Sequence, residues 1–255
     1  MTLEESKSTQ PPVDEAPEPY DYYALVPHHS DPRLLFLRDG PHWALPHWQD
    51  TQRHYWQTTL HVNAALRQRF DINAAVLRCL ATDRNPETGR IARLYEMETH
   101  TVPNALPDAM QWRGRDALDA LACPEQRPLL ASWFDEVEGS MPQQRRPWAR
   151  RGWVQQPISW IGEQLTHLGM IRSGPVEQLR SWERSCLLRM PTDAGHVYFK
   201  AVPRMFTHET LLTQALAMWY PGTAPHVLAL DAARDWLLLA DLGGHTLDSD
   251  RDITH

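Results

Sequence analysis

Residues 186–202 alternate apolar and polar side chains about a Gly-containing turn, Cys186-Leu-Leu-Arg-Met-Pro-Thr-Asp-Ala-Gly195-His-Val-Tyr-Phe-Lys200-Ala-Val202. A strand repeats every two residues, and Asp and Gly tolerate the positive φ of a tight turn, so the stretch predicts a β-hairpin turning at Asp193–Gly195. In its second arm Val197, Phe199 and Ala201 share one face, and Tyr198, Lys200 and Val202 the other. The apolar positions Leu212, Ala215, Leu216 and Trp219 then recur at helical spacing after Thr207, a candidate cap, and Pro221-Gly222 stops the run. Val227–Leu230 and Trp236–Ala240 predict two more strands around a turn at Asp231–Asp235, followed by Asp241-Leu-Gly-Gly244.

Upstream, the pattern is mixed. Tyr22–Val26, Arg33–Leu37, Ala74–Leu80 and Ile91–Met97 read as strands. Residues 51–70 read as one long helix, with Leu60, Val62, Ala65, Leu66 and Phe70 as its apolar positions. Ala117–Leu121 and Gln126–Val137 read as closing helices. Ile158, Ile161, Leu165 and Leu168 share a helical face ending at Gly169, and Val176–Trp182 opens the strands of the second half. The expected organisation is a disordered tail over 1–19, a first domain over 20–138, a linker over 139–151 and a second domain over 152–255. The tail is too poor in apolar residues to offset its ordering entropy. Gly139–Arg151 contains Gly, Ser, two Pro and paired arginines, and is expected to be a solvated hinge.

Composition narrows the function classes. The chain has 255 residues, a net charge of -7 and 42% hydrophobic residues, so no general basic field draws nucleic acid. Its three cysteines have neither metal spacing nor an even disulfide framework, and no apolar run is long enough to span a bilayer. A cytoplasmic protein without a membrane partner is expected. The histidines at 28, 29, 42, 47, 54 and 61 lack the short fixed spacing of a metal site; only His54 and His61 can share a face, and all are expected in surface and turn positions. The only lysines are Lys7 and Lys200. Lys7 lies in the tail, so Lys200 stands alone in an apolar strand, a compact charge suited to a phosphate. Glu209 follows nine residues later, in the first turn of the next helix.

The order of strand, strand with Lys200, helix with Glu209, strand, strand and Gly-rich exit resembles the small lobe of the protein-kinase-like fold. The wording Tyr-Phe-Lys-Ala-Val-Pro and Asp-Leu-Gly-Gly is most similar to the aminoglycoside phosphotransferase group, over about residues 152–247. The resemblance implies an α+β protein whose second domain is a nucleotide-binding lobe, an antiparallel sheet plus a helix. Within it Lys200 contacts the ATP phosphates, Glu209 orients Lys200, and backbone groups of Ala240, Asp241 and Leu242 meet the adenine. Ser185, in the polar turn Ser181–Ser185, is a further candidate phosphate contact. The His-Gly-Asp motif that carries catalysis and magnesium in that group is absent from this sequence, as is a Gly-rich phosphate loop. No catalytic residue is therefore assigned, magnesium is expected only with a further helical lobe, and the chain is expected to be part of a longer kinase whose acceptor is unknown.

Residues 20–138 resemble the Nudix hydrolase fold, an α/β/α sandwich, through Trp43-Ala-Leu-Pro46, a following helix and the strand Val76–Cys79. The family's magnesium-binding glutamates would fall on Ala65, Gln68 and Arg69, and its glycine on Asp71. None of the three is a carboxylate, so an inactive Nudix-like domain is expected, or a ligand sensor. The alternatives kept open are a non-catalytic interaction protein and a residual diphosphate hydrolase.

Overall fold

A computed structural model describes residues 20–103, 105–139 and 145–243. The expected disordered tail, residues 140–144 of the linker and the stretch beyond Gly243 lie outside the described residues.

The first half contains β1 (Tyr20–Leu25), β2 (Leu34–Asp39), β3 (His42–Ala44), β4 (His47–Asp50), α1 (Leu60–Phe70), β5 (Asn73–Arg84), β6 (Ile91–Thr101), β7 (Met110–Arg113) and α2 (Arg127–Glu138). A four-stranded mixed sheet has the order β4-β1-β6-β5, with β1 parallel to β6, and a three-stranded sheet has the order β3-β2-β7. Alternation along the strands divides the side chains between two cores. Tyr20, Tyr22 and Ala24 of β1 and Tyr95 and Met97 of β6 pack with Val62 and Leu66 of α1. Leu25 and Leu94 pack instead with Leu130, Trp133 and Phe134 of α2. The mixed sheet thus carries a helix on each face.

The second half contains α3 (Gln155–His167), β8 (Glu177–Trp182), β9 (Ser185–Thr192), β10 (Gly195–Ala201), α4 (Thr207–Trp219), β11 (Val227–Asp231) and β12 (Trp236–Ala240). Its five strands form an antiparallel sheet in the order β11-β12-β10-β9-β8. One face, built from Cys186, Leu188, Met190, Val197, Phe199, Trp236 and Leu238, packs on Trp160, Ile161 and Leu165 of α3. Phe199 is ringed by Trp153, Trp160 and Trp236 at centroid distances of 6.3, 6.0 and 5.4 Å. The described residues therefore form a mixed α+β fold with three sheets.

Several expectations are corrected. The helix over 51–70 begins only at Leu60. Residues just before it pair with β8 instead: the Thr59 N–H donates to Leu179 O at 3.1 Å and the Ser181 N–H to Gln57 O at 3.1 Å. Backbone pairing across the two halves thus outcompetes the local helical pattern. Strand β4 was not expected, because Trp48 is its only buried residue, and β7 was not expected either. Thr207 is not a cap but the first helical residue, and its hydroxyl lies within donating distance of Arg204 O, at 2.7 Å, and of Asp235 Oδ2, at 3.2 Å. Of the apolar positions at helical spacing on α4, Leu212 and Trp219 are 53% and 66% exposed, whereas Ala215 and Leu216 are half-buried. The helix buries Thr210, and Glu209 and Thr213 are half-buried like Leu216.

The basic end of the linker is not a solvated hinge. Trp148 and Ala149 are buried, and the Arg145 side chain, 8% exposed, forms an ion pair with Glu136 of α2. Paired arginines drew the solvated reading, but the interleaved Trp148 and Trp153 anchor the segment in the second core.

Candidate functional site

Strand β10 holds Lys200 because its neighbours need the opposite face. Val197, Phe199 and Ala201 point into the core, so Tyr198 and Lys200 must point away from it. Lys200 lies in register between Leu187 of β9 and Leu237 of β12. Its Nζ donates to Oε1 of Glu209, in the first turn of α4, and each side chain is about one-third exposed (29% and 35%). A pair this open adds no more than about 1 kcal/mol to stability, so folding alone gives little reason for it. An ammonium has three N–H donors, which leaves two for an anion.

Two bonds fix the helix that presents Glu209. The Val202 N–H donates to Asp235 O at 3.2 Å, and Thr207 Oγ1 reaches Asp235 Oδ2 at 3.2 Å. Asp235 itself is buried in the β11–β12 turn with φ of 56°. The loop between β10 and α4 is thereby pinned to the far turn of the sheet.

The other sequence candidates are placed differently. Ser185 is buried at the start of β9, and its Oγ accepts the Trp182 indole N–H at 2.9 Å, which engages it in the fold. The Ala240 N–H donates to His226 O at 2.9 Å. Asp241 and Leu242 are exposed, and Asp241 Oδ1 accepts the Gly243 N–H at 2.9 Å, shaping the exit from the sheet. The structure thus brings Lys200 and Glu209 together; Ala240 is the last residue of β12 and Asp241 and Leu242 follow it, three residues and more from Leu237, the register partner of Lys200.

In the first half, Ala65, Gln68 and Arg69 lie on α1, which has no acidic residue in its first turn, and Asp71 closes it with φ of 56°. No group of three or more His, Cys, Asp or Glu residues placed to hold a metal occurs among the described residues.

Two features escaped the sequence reading. His54 and His61 are half-buried, and their rings stack at 3.8 Å and 10°. Burial first, then His54 and Arg93, push the His61 pKa down to about 3. Tyr22 Oη, His61 Nε2 and Arg93 Nε are buried without a hydrogen bond among the described residues. The seven-residue spacing was the available signal, and nothing local reveals that Tyr22 and Arg93 join it. The second feature is a cavity of about 580 Å³ lined by six arginines, Arg145, Arg146, Arg150, Arg151, Arg204 and Arg234. Its signal was the run Arg145–Arg151.

No family model matches the chain, and no curated protein matches it. Among solved structures, a Nudix hydrolase from Nitrosomonas europaea is similar at 9% identity and a TM-score of 0.40, covering 49% of this chain and 74% of that one. A UDP-X diphosphatase is similar at 17% identity and a TM-score of 0.38, covering 52% of this chain and 69% of that one. An ADP-ribose pyrophosphatase from Streptococcus suis is similar at 17% identity and a TM-score of 0.34, covering 48% of this chain and 93% of that one.

Proposed function

We propose that the second half is the nucleotide-phosphate-binding lobe of a kinase-like phosphotransferase resembling the aminoglycoside phosphotransferase group, carried beside a catalytically silent Nudix-like unit. The observation that carries this reading is the Lys200–Glu209 pair. It lies on a five-stranded antiparallel sheet whose third strand in sequence bears the lysine and whose following helix bears the glutamate. In this reading Lys200 donates its free N–H groups to the α- and β-phosphates of ATP, and Glu209 holds the ammonium in place. Backbone groups of Asp241 and Leu242 meet the adenine edge. Ser185, whose Oγ accepts the Trp182 indole N–H, is engaged in the fold. Residues that orient an acceptor and hold magnesium would come from a helical lobe, since the sequence has no His-Gly-Asp motif.

The test is a thermal-shift and calorimetric titration of the chain with magnesium-ATP, since a ligand that binds only the folded state raises apparent stability. Saturable binding that Lys200→Ala abolishes supports the proposal. Binding unchanged by Lys200→Ala, or none at all, overturns it; no binding favours a non-catalytic interaction or ligand-sensing protein.

A second reading is residual diphosphate hydrolysis by the first half. Its motivation is the layering of a mixed sheet between α1 and α2, as a Nudix-like unit requires. The positions on α1 that would hold magnesium are Ala65, Gln68 and Arg69, so any carboxylates must come from elsewhere. Phosphate release from nucleoside diphosphate compounds, lost on substituting an acidic residue there, would establish it.

A further inference from the structure

A protein of net charge -7 has no reason to gather six arginines around one hollow for folding alone, because like charges in a small volume repel. The cavity lies between the end of the linker, the loop from β10 to α4 and the β11–β12 turn, and Asp235 is the only carboxylate among its lining residues. Four of the six guanidinium groups are braced by the fold. Arg145 pairs with Glu136, and Arg234 pairs with Asp231 at 2.6 Å while lying 4.2 Å over the Trp236 ring. Arg151 lies 5.1 Å over Trp133, and Arg150 Nε donates to Arg145 O at 3.1 Å. A guanidinium held by its face on an aromatic ring keeps its N–H edge for an anion.

The fold answers part of this charge: Arg145 and Arg234 have carboxylate partners, and Glu96, Glu98 and Glu136 lie close enough to act on Arg151. Arg151 Nη2 is buried without a hydrogen bond among the described residues. Arg146 and Arg204 have no carboxylate partner among the described residues; the contact recorded for Arg146 is with Met205 Sδ, at 3.8 Å. Arg146 and Arg204 thus keep guanidinium N–H donors for an anion in the cavity. Forked, planar donors match phosphate oxygens, and a volume of about 580 Å³ is of the size small-molecule sites have.

We propose that this cavity is a binding site for a compact anion carrying two or more phosphate groups, separate from the Lys200–Glu209 pair. Arg151 and Arg234 form its braced wall, and Arg146 and Arg204 close on the phosphates from the open side. The ligand is a small molecule, because the basic surface is a concave pocket in an otherwise acidic chain and not a stripe along which a polymer runs.

The test is calorimetric titration of the full chain with inorganic tripolyphosphate, without magnesium, and in a second arm with ATP. Wild type and Lys200→Ala are expected to bind tripolyphosphate alike, while the double variant Arg146→Gln/Arg204→Gln binds at least about tenfold more weakly at unchanged melting temperature without ligand. Because these two side chains pair with no carboxylate, the variant is expected to fold. An Arg146→Lys/Arg204→Lys variant, which keeps the charge and loses the fork, should retain part of the affinity. A free phosphate chain as ligand predicts that ATP competes poorly; a nucleotide ligand predicts that it competes well. No saturable tripolyphosphate binding overturns the proposal. So does binding lost in Lys200→Ala but kept in the double glutamine variant, or a preference for a single-stranded oligonucleotide over tripolyphosphate. The proposal and the Lys200 assignment thus fail on different variants.

Discussion

The side chain of Gln178, on β8, grips the backbone of Val76, on β5, as a neighbouring strand would. Its Nε2 donates to Val76 O at 2.8 Å, and its Oε1 accepts the Val76 N–H at 2.8 Å. Strand β5 has a register shift between Val76 and Arg78, so its edge is locally irregular there. Around this clamp Thr59 Oγ1 donates to Gln178 O at 2.9 Å, and Ser181 Oγ to Leu77 O at 3.1 Å. The two halves meet through buried, fully directed polar bonds, which require one relative position.

Gln178→Ala leaves both backbone groups of Val76 buried and unpaired, each costing about 1–3 kcal/mol. A loss of about 2–4 kcal/mol is expected from the urea midpoint. A loss under about 0.5 kcal/mol would mean that water replaces the amide freely, and that the halves are not tightly joined.

The depressed pKa of His61 makes stability depend on pH. Burial favours its neutral form, so between the unfolded value of 6.5 and the folded value of about 3 the unfolded chain binds more protons. This contribution is complete above pH 6.5 and declines as pH falls towards 3. His54 and Arg93 oppose the proton and Asp50 favours it, but burial dominates. His61→Phe, which keeps a ring against Tyr22, should flatten the fall in melting temperature between pH 6 and pH 4. An unchanged slope would refute the assignment.

Asp71 closes α1 in the left-handed conformation, with φ of 56°. An L side chain is strained there and glycine is not. Asp71→Gly is expected to raise stability by about 0.5–1 kcal/mol, read as a shift in denaturant midpoint. A destabilised variant would show that the Asp71 side chain makes a compensating interaction.

Phe199 is 1% exposed among three tryptophans. Phe199→Ala should cost about 3–5 kcal/mol and alter tryptophan emission, since a cavity opens between rings that cannot all collapse. Full retention of stability would mean that the second core repacks without it.

Periodicity made much of this fold readable. Alternation along residues 197–201 announced which face of β10 is core and which carries Lys200, because a strand's pleat sends neighbours to opposite sides regardless of context. The Trp236–Ala240 strand and the α3 stripe were legible for the same local reason. The Lys200–Glu209 encounter was foreshadowed by sequence distance, since a short loop leaves the next helix little freedom.

Other features depended on residues far apart in the chain. Whether Gln57–Thr59 continues a helix or pairs with β8 is decided by a strand over 100 positions away, whose backbone groups supply the competing bonds. The exposure of Leu212 and Trp219 on α4 and the half-burial of His61 share this character: a side chain's chemistry states what it prefers, and only the neighbours brought by folding determine whether it gets it. The arginine cavity is the clearest instance. Arg145–Arg151, Arg204 and Arg234 are separate charges along the sequence, and they become one electrostatic site only when the linker, the β10–α4 loop and the β11–β12 turn converge.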